Sequence, residues 1–246
     1  MGQYTTEALV LGVRNWGDAD KMVMLLSRER GKIKAAAFGC RRPRSPLAGG
    51  MQMFNHLDVQ LSEGQRIDTI RQCMLRENFR TLCDDFMAMA YGAFIAELVL
   101  ELLPEHEAQP DLFDRLLMIF RFFGTRNPRL QALAAACQLL EFSGVQLHFS
   151  HCVRCGRLVD GDGWFAQEEG GVLCQSCGCE GDVVFPSALR EFILRLLQLD
   201  WQGPPAFRVR KTELLQAEQL ILGYIQQLLG KPLKSLAFIR QAVCPR

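Results

Sequence analysis

The feature that most constrains this chain is a pair of Cys-x-x-Cys motifs separated by eighteen residues. At this spacing each motif can form one tight turn, and together they can place four thiolates around one Zn²⁺ ion. The four candidate ligands are Cys152, Cys155, Cys174 and Cys177. Four cysteine ligands fill the coordination shell and leave no position for water, so the pattern predicts structural rather than hydrolytic zinc.

Three alternatives to this ligand set follow from the neighbouring residues. His151 could replace one thiolate, and Cys179 follows Cys177 closely enough to compete with it. The thiols could also be small buried apolar groups with no metal. Between the motifs, glycines at 161, 163, 170 and 171 mark turns around a short strand at 164–166, which predicts a hairpin. We therefore expect a zinc-finger insertion with four cysteine ligands over residues 151–179.

The remaining cysteines point to a reducing compartment. Six of the ten are scattered along the chain, whereas a secreted disulfide scaffold would be shorter and more regularly spaced. A polar start argues against a signal peptide, and Glu97 and Glu101 interrupt the longest apolar helix, which argues against a membrane span. A cytoplasmic protein is the expectation.

The first eighty residues are rich in β-forming residues and short apolar runs, and residues 56–62 alternate between apolar and polar. Five strands are predicted, at 4–14, 20–27, 32–38, 56–62 and 66–75, with Leu57, Val59 and Leu61 inward and their neighbours from His56 to Ser62 outward. Five strands in this length predict a small closed barrel, with an OB-fold over residues 1–78 as the natural candidate and an SH3-like barrel as the alternative. The aromatic residues available for base stacking, each of which could instead be core, are Tyr4, Trp16, Phe38 and Phe54.

Positive charge is concentrated in the same region. Residues 1–80 hold thirteen Lys and Arg against eight Asp and Glu, whereas the remainder is net acidic. Residues 39–50 carry three Gly, two Pro and three Arg and predict a mobile basic loop without helix or strand. This density favours a polyanion site over an ordinary solvated surface. The predicted phosphate contacts are Lys32, Lys34, Arg41, Arg42 and Arg44, with Arg14, Arg66 and Arg71 as further candidates.

From residue 79 the apolar period becomes helical, which predicts an α-helical domain over 79–150 and 180–246. Asn127 and Pro128 predict one helix start, Thr212 another, and Gly230 a helix end. The helix near 116–123 is nearly apolar all round, with arginines at 115, 121, 126 and 129. This helix either lines a groove for an acidic, apolar peptide tail or is a buried helix whose arginines reach solvent.

Several collinear stretches resemble the RecO family of bacterial recombination mediators. They are Gly31-Lys32-Ile33, Phe38-Gly39-Cys40-Arg41-Arg42, Ser45-Pro46-Leu47, the stretches 149–156 and 170–177 around the two motifs, and Lys231-Pro232-Leu233-Lys234-Ser235. The resemblance implies an α+β multidomain protein with an N-terminal OB-fold and a helical domain carrying the zinc insertion. It also implies binding and annealing of single- and double-stranded DNA, and contacts with RecR and the single-strand-binding protein that load recombinase onto gapped DNA.

One stretch departs from the family pattern. Residues 130–137 lack the Arg-x-Phe-Glu-like charges that family members often carry there, which counts against docking of the single-strand-binding protein's tail at this helix. The partner contacts predicted for this chain are Phe120, Arg121, Lys231 and Lys234, of which the two lysines could instead extend the DNA surface.

Other functional classes find little support in the sequence. There is no Gly-x-x-x-x-Gly-Lys-Ser/Thr loop for ATP, and the four histidines offer no triad pattern. The nearest carboxylate pairs, at 84–85 and at 160 and 162, read as a helix start and a turn. We therefore predict no catalytic residues. The rival hypothesis is a zinc-ribbon assembly or transcription-associated factor that does not touch DNA.

Overall fold

The computed structural model describes residues 2–179, 181–203 and 210–243. The chain forms two compact units, Met1–Thr125 and Arg126–Arg246. The first unit combines a β-barrel with three helices, and the second combines four helices with a small sheet. The α+β class predicted from the sequence is confirmed.

All five predicted strands of the barrel are present. They are β1 (Gln3–Trp16), β2 (Asp20–Ser27), β3 (Gly31–Ala37), β4 (His56–Ser62) and β5 (Asp68–Glu77). The barrel closes in the order β1-β2-β3-β5-β4, with β1 pairing to β4. Only the β3–β5 pair is parallel, through Ala35–Asp68 and Ala36–Thr69. A five-stranded closed barrel with this order is the predicted OB-fold.

Alternation along the strands fills the barrel core. Leu57, Val59 and Leu61 of β4 point inward and are buried, as predicted. His56 points outward yet is buried too, because its ring lies 6.1 Å from that of Phe113 on a helix packed against the barrel. The strand pattern predicts which face a residue occupies, but it does not predict what covers that face.

The basic loop between β3 and β4 closes one end of the barrel. It contains neither helix nor strand, as predicted, but it is not a loose segment. Successive turns run from Gly39 to Ala48, and the side chains of Cys40, Leu47 and Met51 lie in the barrel core. The prediction of a mobile loop over residues 39–50 missed the apolar Cys40 and Leu47 among its glycines and arginines, and Met51 directly after it.

Three helices complete the first unit: α1 (Arg80–Cys83), α2 (Phe86–Leu102) and α3 (Pro110–Phe122). The helical region predicted from residue 79 is interrupted at Asp84, and Asp85 begins α2 by accepting a hydrogen bond from the Ala88 N–H at 2.6 Å. A carboxylate at this position satisfies a backbone donor that has no partner within the helix.

The second unit contains α4 (Pro128–Phe142), α5 (Ser187–Leu197), α6 (Lys211–Leu229) and α7 (Lys234–Val243). The side chain of Asn127 caps α4, as predicted, by accepting from the N–H groups of Arg129 and Leu130. Gly230 ends α6 at φ +64°, also as predicted. Thr212 is not a cap, because α6 already begins at Lys211 and Arg210 takes the cap position. Of the predicted linker at 203–205, residues 204 and 205 lie outside the described ranges.

A three-stranded sheet is inserted between α4 and α5. Its strands are β6 (Gly163–Ala166), β7 (Gly171–Leu173) and β8 (Val183–Phe185), in the order β7-β6-β8. β6 and β7 form the hairpin predicted between the two Cys-x-x-Cys motifs. Phe149, Phe165 and Phe185 pack together with ring centroids 5.6–6.0 Å apart, which gives the insertion a core of its own.

Candidate nucleic-acid interface and metal centre

Two exposed aromatic rings lie together at one end of the barrel. Trp16 ends β1 and Phe38 follows β3, and their ring centroids are 5.9 Å apart with a tilt of 43°. Trp16 is 42% exposed and Phe38 is 53% exposed. The other two aromatic candidates differ, since Phe54 is buried in the core and Tyr4 is held beneath Arg30.

Hydrogen bonds fix the start of the basic loop onto the turn between β1 and β2. The Arg41 N–H donates to the Ala19 carbonyl at 2.8 Å, and its guanidinium donates to the Asp18 carbonyl at 3.2 Å. The Gly39 N–H donates to Asp20 Oδ1 at 2.7 Å. The arginine-bearing segment and the aromatic pair are therefore held at the same rim of the barrel.

Two groups can be distinguished among the basic residues of the first unit. Four arginines are neutralised by acidic partners: Arg28 by Asp114, Arg30 by Glu63, Arg76 by Glu7 and Asp58, and Arg121 by Glu77. Six basic side chains have no hydrogen-bond or ion-pair partner within the described part of the chain: Arg14, Lys34, Arg42, Arg44, Arg66 and Arg80. All members of the second group except Arg80, at the start of α1, are predicted phosphate contacts.

Lys32 has a different role from the predicted phosphate contact. Its ammonium group donates to the carbonyls of Leu100 and Leu103, each at 2.8 Å. These carbonyls belong to the C-terminal end of α2, where the helix has unpaired acceptors and a partial negative charge. Lys32 therefore ties β3 to α2, and we remove it from the set of candidate phosphate contacts.

The remaining predicted residues lie on different elements of the barrel. Lys34 lies on the outer face of β3, opposite Met24. Arg66 lies in the connection between β4 and β5, and Arg71 of β5 donates through Nε to Ser62 Oγ at 2.8 Å. Arg41 is partly occupied by the turn carbonyls that it contacts. Unpaired cations can bind phosphates, and exposed aromatic rings can stack bases. Proteins that bind single strands combine these two kinds of contact.

The four predicted zinc ligands converge in the second unit. The Sγ atoms of Cys152, Cys155, Cys174 and Cys177 all lie within 4.8 Å of one another. The Cys155 and Cys174 sulfurs are 3.8 Å apart, and four sulfurs at the usual Zn–S distance of about 2.3 Å in a tetrahedron would lie about 3.8 Å apart. The arrangement fits Zn²⁺. Within the described residues, neither His151 nor Cys179 belongs to this group.

The electrostatics of the cluster also favour a cation. Hydrogen bonds from the backbone and side chain of Arg157 lower the pKa of Cys155 to about 6. Hydrogen bonds to the sulfurs of Cys174 and Cys155 raise the pKa of Cys177 to about 12. The two pKa values shift in opposite directions because four adjacent sulfurs cannot all ionise without a counter-charge.

Arg154 connects the two cysteine motifs and was not singled out from the sequence. It lies inside the first motif, and its guanidinium donates to the Cys177 carbonyl of the second at 2.7 Å. It also pairs with Glu169 at 2.7 Å and contacts the Cys179 sulfur at 3.1 Å. Cys179 thus binds an arginine that holds the two motifs together. A charged residue between two cysteines gives no sequence signal for this role.

The structure revises the predicted partner contacts. Phe120 is 0% exposed and packs against Phe54 and Phe79, so its ring belongs to the core and is withdrawn as a partner contact. Arg121 forms a two-bond ion pair with Glu77. The end of α3 is therefore a buried helix, and the predicted apolar groove is absent from the described residues there. Lys231 and Lys234 are exposed near the start of α7.

Among the described residues, no helix is both long and apolar enough to cross a bilayer.

Two family models match the chain in tandem. The model described as Recombination protein O N terminal matches residues 1–79, and the model described as Recombination protein O C terminal matches residues 83–237. Similar proteins carry the name DNA repair protein RecO. The one from Symbiobacterium thermophilum is 35% identical over 97% of both chains. The one from a Nocardioides species is 32% identical over 97% of this chain and 99% of its own, and the one from Desulfitobacterium hafniense strain Y51 is 31% identical over 96% and 88%.

Proposed function

This chain belongs to the RecO family of DNA repair and recombination proteins, and from that membership we propose that it is a non-enzymatic mediator that binds DNA on its N-terminal barrel. The observation that carries the proposal is the rim of the barrel, where arginines with no partner among the described residues lie on the same segments as two exposed aromatic rings. Phosphate contacts would supply most of the affinity, and they need no base-specific readout.

Strand annealing follows physically from such a surface. A basic face lowers the repulsion between two polyanionic strands, and stacking sites keep bases accessible to a complementary strand. We propose that the protein anneals DNA strands and, together with RecR and the single-strand-binding protein, loads recombinase onto gapped DNA. We propose that it acts in the cytoplasm, at the nucleoid.

The remaining parts of the chain would support that activity. We propose that the barrel at 1–78 is the DNA-binding module and that the helices of 79–150 and 180–246 serve protein partners. The insertion at 151–179 would hold a structural Zn²⁺ ion, whose charge would compensate the four thiolates and whose removal would unfold the insertion. Lys231 and Lys234 remain candidates for contacts with partners or DNA.

The salt dependence of DNA binding tests the assignment of the arginine loop. On single strands the slope of log affinity against log salt changes by about 0.7 for each phosphate contact. Replacing Arg41, Arg42 and Arg44 together by Ala should flatten the slope by up to about 2 and weaken binding several-fold at low salt. Fluorescence anisotropy with a labelled oligonucleotide, titrated over a series of salt concentrations, would measure both.

Arg28→Ala is the matched control, because it removes one cation that is already paired with Asp114. Its slope should equal that of the unmodified protein. An unchanged slope in the triple variant would remove the loop from the interface. Absence of any binding by the unmodified protein at low salt would remove the proposed function and favour the assembly-factor alternative.

Annealing and the absence of catalysis are tested in one assay. Complementary strands coated with the cognate single-strand-binding protein are mixed with the protein, with and without RecR, Mg²⁺ and ATP. The expected product is duplex with both strands intact and ATP unhydrolysed. Shortened strands or released phosphate would show that the protein is an enzyme.

A further inference from the structure

The exposed aromatic pair defines which form of DNA the interface prefers. We propose that Trp16 and Phe38 are a stacking platform for unpaired bases and make the barrel select single strands over duplex. This inference rests on the proposed DNA-binding function and adds to it the substrate form and the residues that discriminate it.

The first argument is exposure. Large aromatic rings contribute most when buried, and the first unit has a core into which Phe54, Phe79, Phe113 and Phe120 are packed. Trp16 and Phe38 instead remain 42% and 53% exposed on the rim. Their positions are also fixed, because the hydrogen bonds from Gly39 and Arg41 hold the segment after Phe38 against the turn after Trp16.

The second argument is the geometry of the rings. At 5.9 Å between centroids and a tilt of 43°, the rings touch without lying face to face. Neither ring therefore covers a whole face of the other, so each leaves π-surface on which a base can lie. Trp16 lies beside the turn between the first two strands, which is one of the two loops that OB-folds use to bind oligonucleotides.

The third argument is the charge around the rings. Arg14 lies two residues before Trp16 on β1, and therefore on the same face of the strand. Arg42 and Arg44 follow Phe38 in the basic loop, and both are exposed and unpaired among the described residues. An apolar protein partner would gain little from these cations, whereas a strand with bases on the rings would place its phosphates among them.

Stacking on a protein ring requires a base whose face is free. In a duplex the faces are covered by neighbouring base pairs, so a duplex can use the arginines but not the rings. The platform would therefore add affinity only for single strands, gaps and unpaired ends. Because every base has a π-face, the preference would be for strand form and would depend little on sequence.

The test compares three ligands of equal length: oligo(dT), an abasic deoxyribose-phosphate oligomer and a duplex. Trp16→Ala and Phe38→Ala should each weaken oligo(dT) binding about 5- to 150-fold, the range of base–aromatic stacking. Binding of the abasic oligomer and the duplex should stay within about twofold, and the salt slope for oligo(dT) should not change. Trp16→Phe should retain most of the affinity, since a ring remains.

Two comparisons make the result specific. Met74→Ala removes another exposed apolar side chain, on β5, and should leave all three affinities unchanged. Arg42→Ala should weaken all three ligands and flatten the slope. In the unmodified protein, oligo(dT) should quench tryptophan emission, and the quenched component should disappear in Trp16→Phe while Trp164 and Trp201 remain.

Different failures lead to different conclusions. Equal loss of affinity for oligo(dT) and the abasic oligomer, or no loss for either, would overturn the stacking platform while leaving DNA binding intact. No binding of any ligand by the unmodified protein would instead overturn the proposed function. Persistence of the quenching in Trp16→Phe would also contradict the proposal, whatever the stability of the alanine variants.

Discussion

Lys32 and Lys34 lie on the same strand and the same face, two residues apart, and the sequence offers no reason to distinguish them. The structure gives Lys32 two carbonyl acceptors at the end of α2, whereas Lys34 has no partner within the described residues. A charged side chain with two fixed acceptors contributes to stability, and one without a partner remains available to a phosphate. The same residue type thus has two roles that depend on what lies above the strand.

Replacing each lysine by Met should separate the two roles. Lys32→Met leaves two carbonyls without their donor and should lower the free energy of unfolding by about 1–3 kcal/mol. Lys34→Met should change it by less than about 0.5 kcal/mol but reduce the salt slope of DNA binding by about 0.7. Urea denaturation followed by circular dichroism, together with anisotropy titrations, measures both quantities. Equal loss of stability in the two variants would contradict the assignment.

In the metal centre, the role of Arg154 likewise depends on a contact that the sequence does not show. Arg154 is not one of the four ligands, yet its hydrogen bond to the Cys177 carbonyl joins the two cysteine motifs. Residues that orient metal ligands typically change affinity by about 10- to 100-fold when removed. Arg154→Ala should therefore weaken zinc binding at least about tenfold, measured by competition with a chromogenic chelator. Arg195→Ala, an exposed arginine on α5, is the control and should bind zinc normally. Unchanged affinity in Arg154→Ala would show that the motifs are positioned without it.

At the scale of elements, the segment between β3 and β4 matters most. Its composition of Gly, Pro and Arg predicted a loop, and it is one, but its turns carry apolar side chains into the barrel. The segment therefore does two things at once. It closes the core on one side and presents Arg42 and Arg44 to solvent on the other.

A single substitution tests whether this loop is part of the core. Leu47→Ala should lower the free energy of unfolding by about 2–4 kcal/mol, as for other buried leucines that leave a cavity. Pro46→Ala, at the exposed neighbouring position, should have a much smaller effect. Denaturation curves of the two variants would distinguish the cases. Two neutral substitutions would mean that the loop is as mobile as its composition suggested.

At the scale of the whole molecule, the barrel and the cysteine cluster belong to different compact units. Each unit has its own core, so loss of one does not require loss of the other. The cysteine insertion holds only three short strands and an aromatic cluster, and a structural metal supplies much of the stability of such small modules.

Removal of zinc under reducing conditions tests this independence. Chelation should raise hydrogen exchange at residues 150–185 while leaving exchange in the barrel unchanged, since none of the four cysteines lies in the first unit. Affinity for oligo(dT) should stay close to that of the zinc-loaded protein. A large loss of DNA binding after chelation would instead extend the interface beyond the barrel, and Lys231 and Lys234 would be the first residues to replace.

Much of this architecture could be predicted from the sequence because its signals are local. Runs of β-forming and apolar residues, with alternation at 56–62, predicted the five strands. Asn127 and Gly230 marked helix ends, and the spacing of two short motifs identified four residues that do converge. These features depend on neighbours a few positions apart, where backbone geometry alone decides which side chains share a face.

Only the tertiary structure decided which polar and aromatic residues remain available. Lys32 meets carbonyls 68 and 71 residues away, Arg121 meets an acid 44 residues away, and Trp16 meets Phe38 across a barrel rim. Phe120 is buried and Phe38 exposed although both are aromatic residues near arginines. Periodicity assigns a side chain to a face, but the element that packs on that face comes from a distant part of the chain.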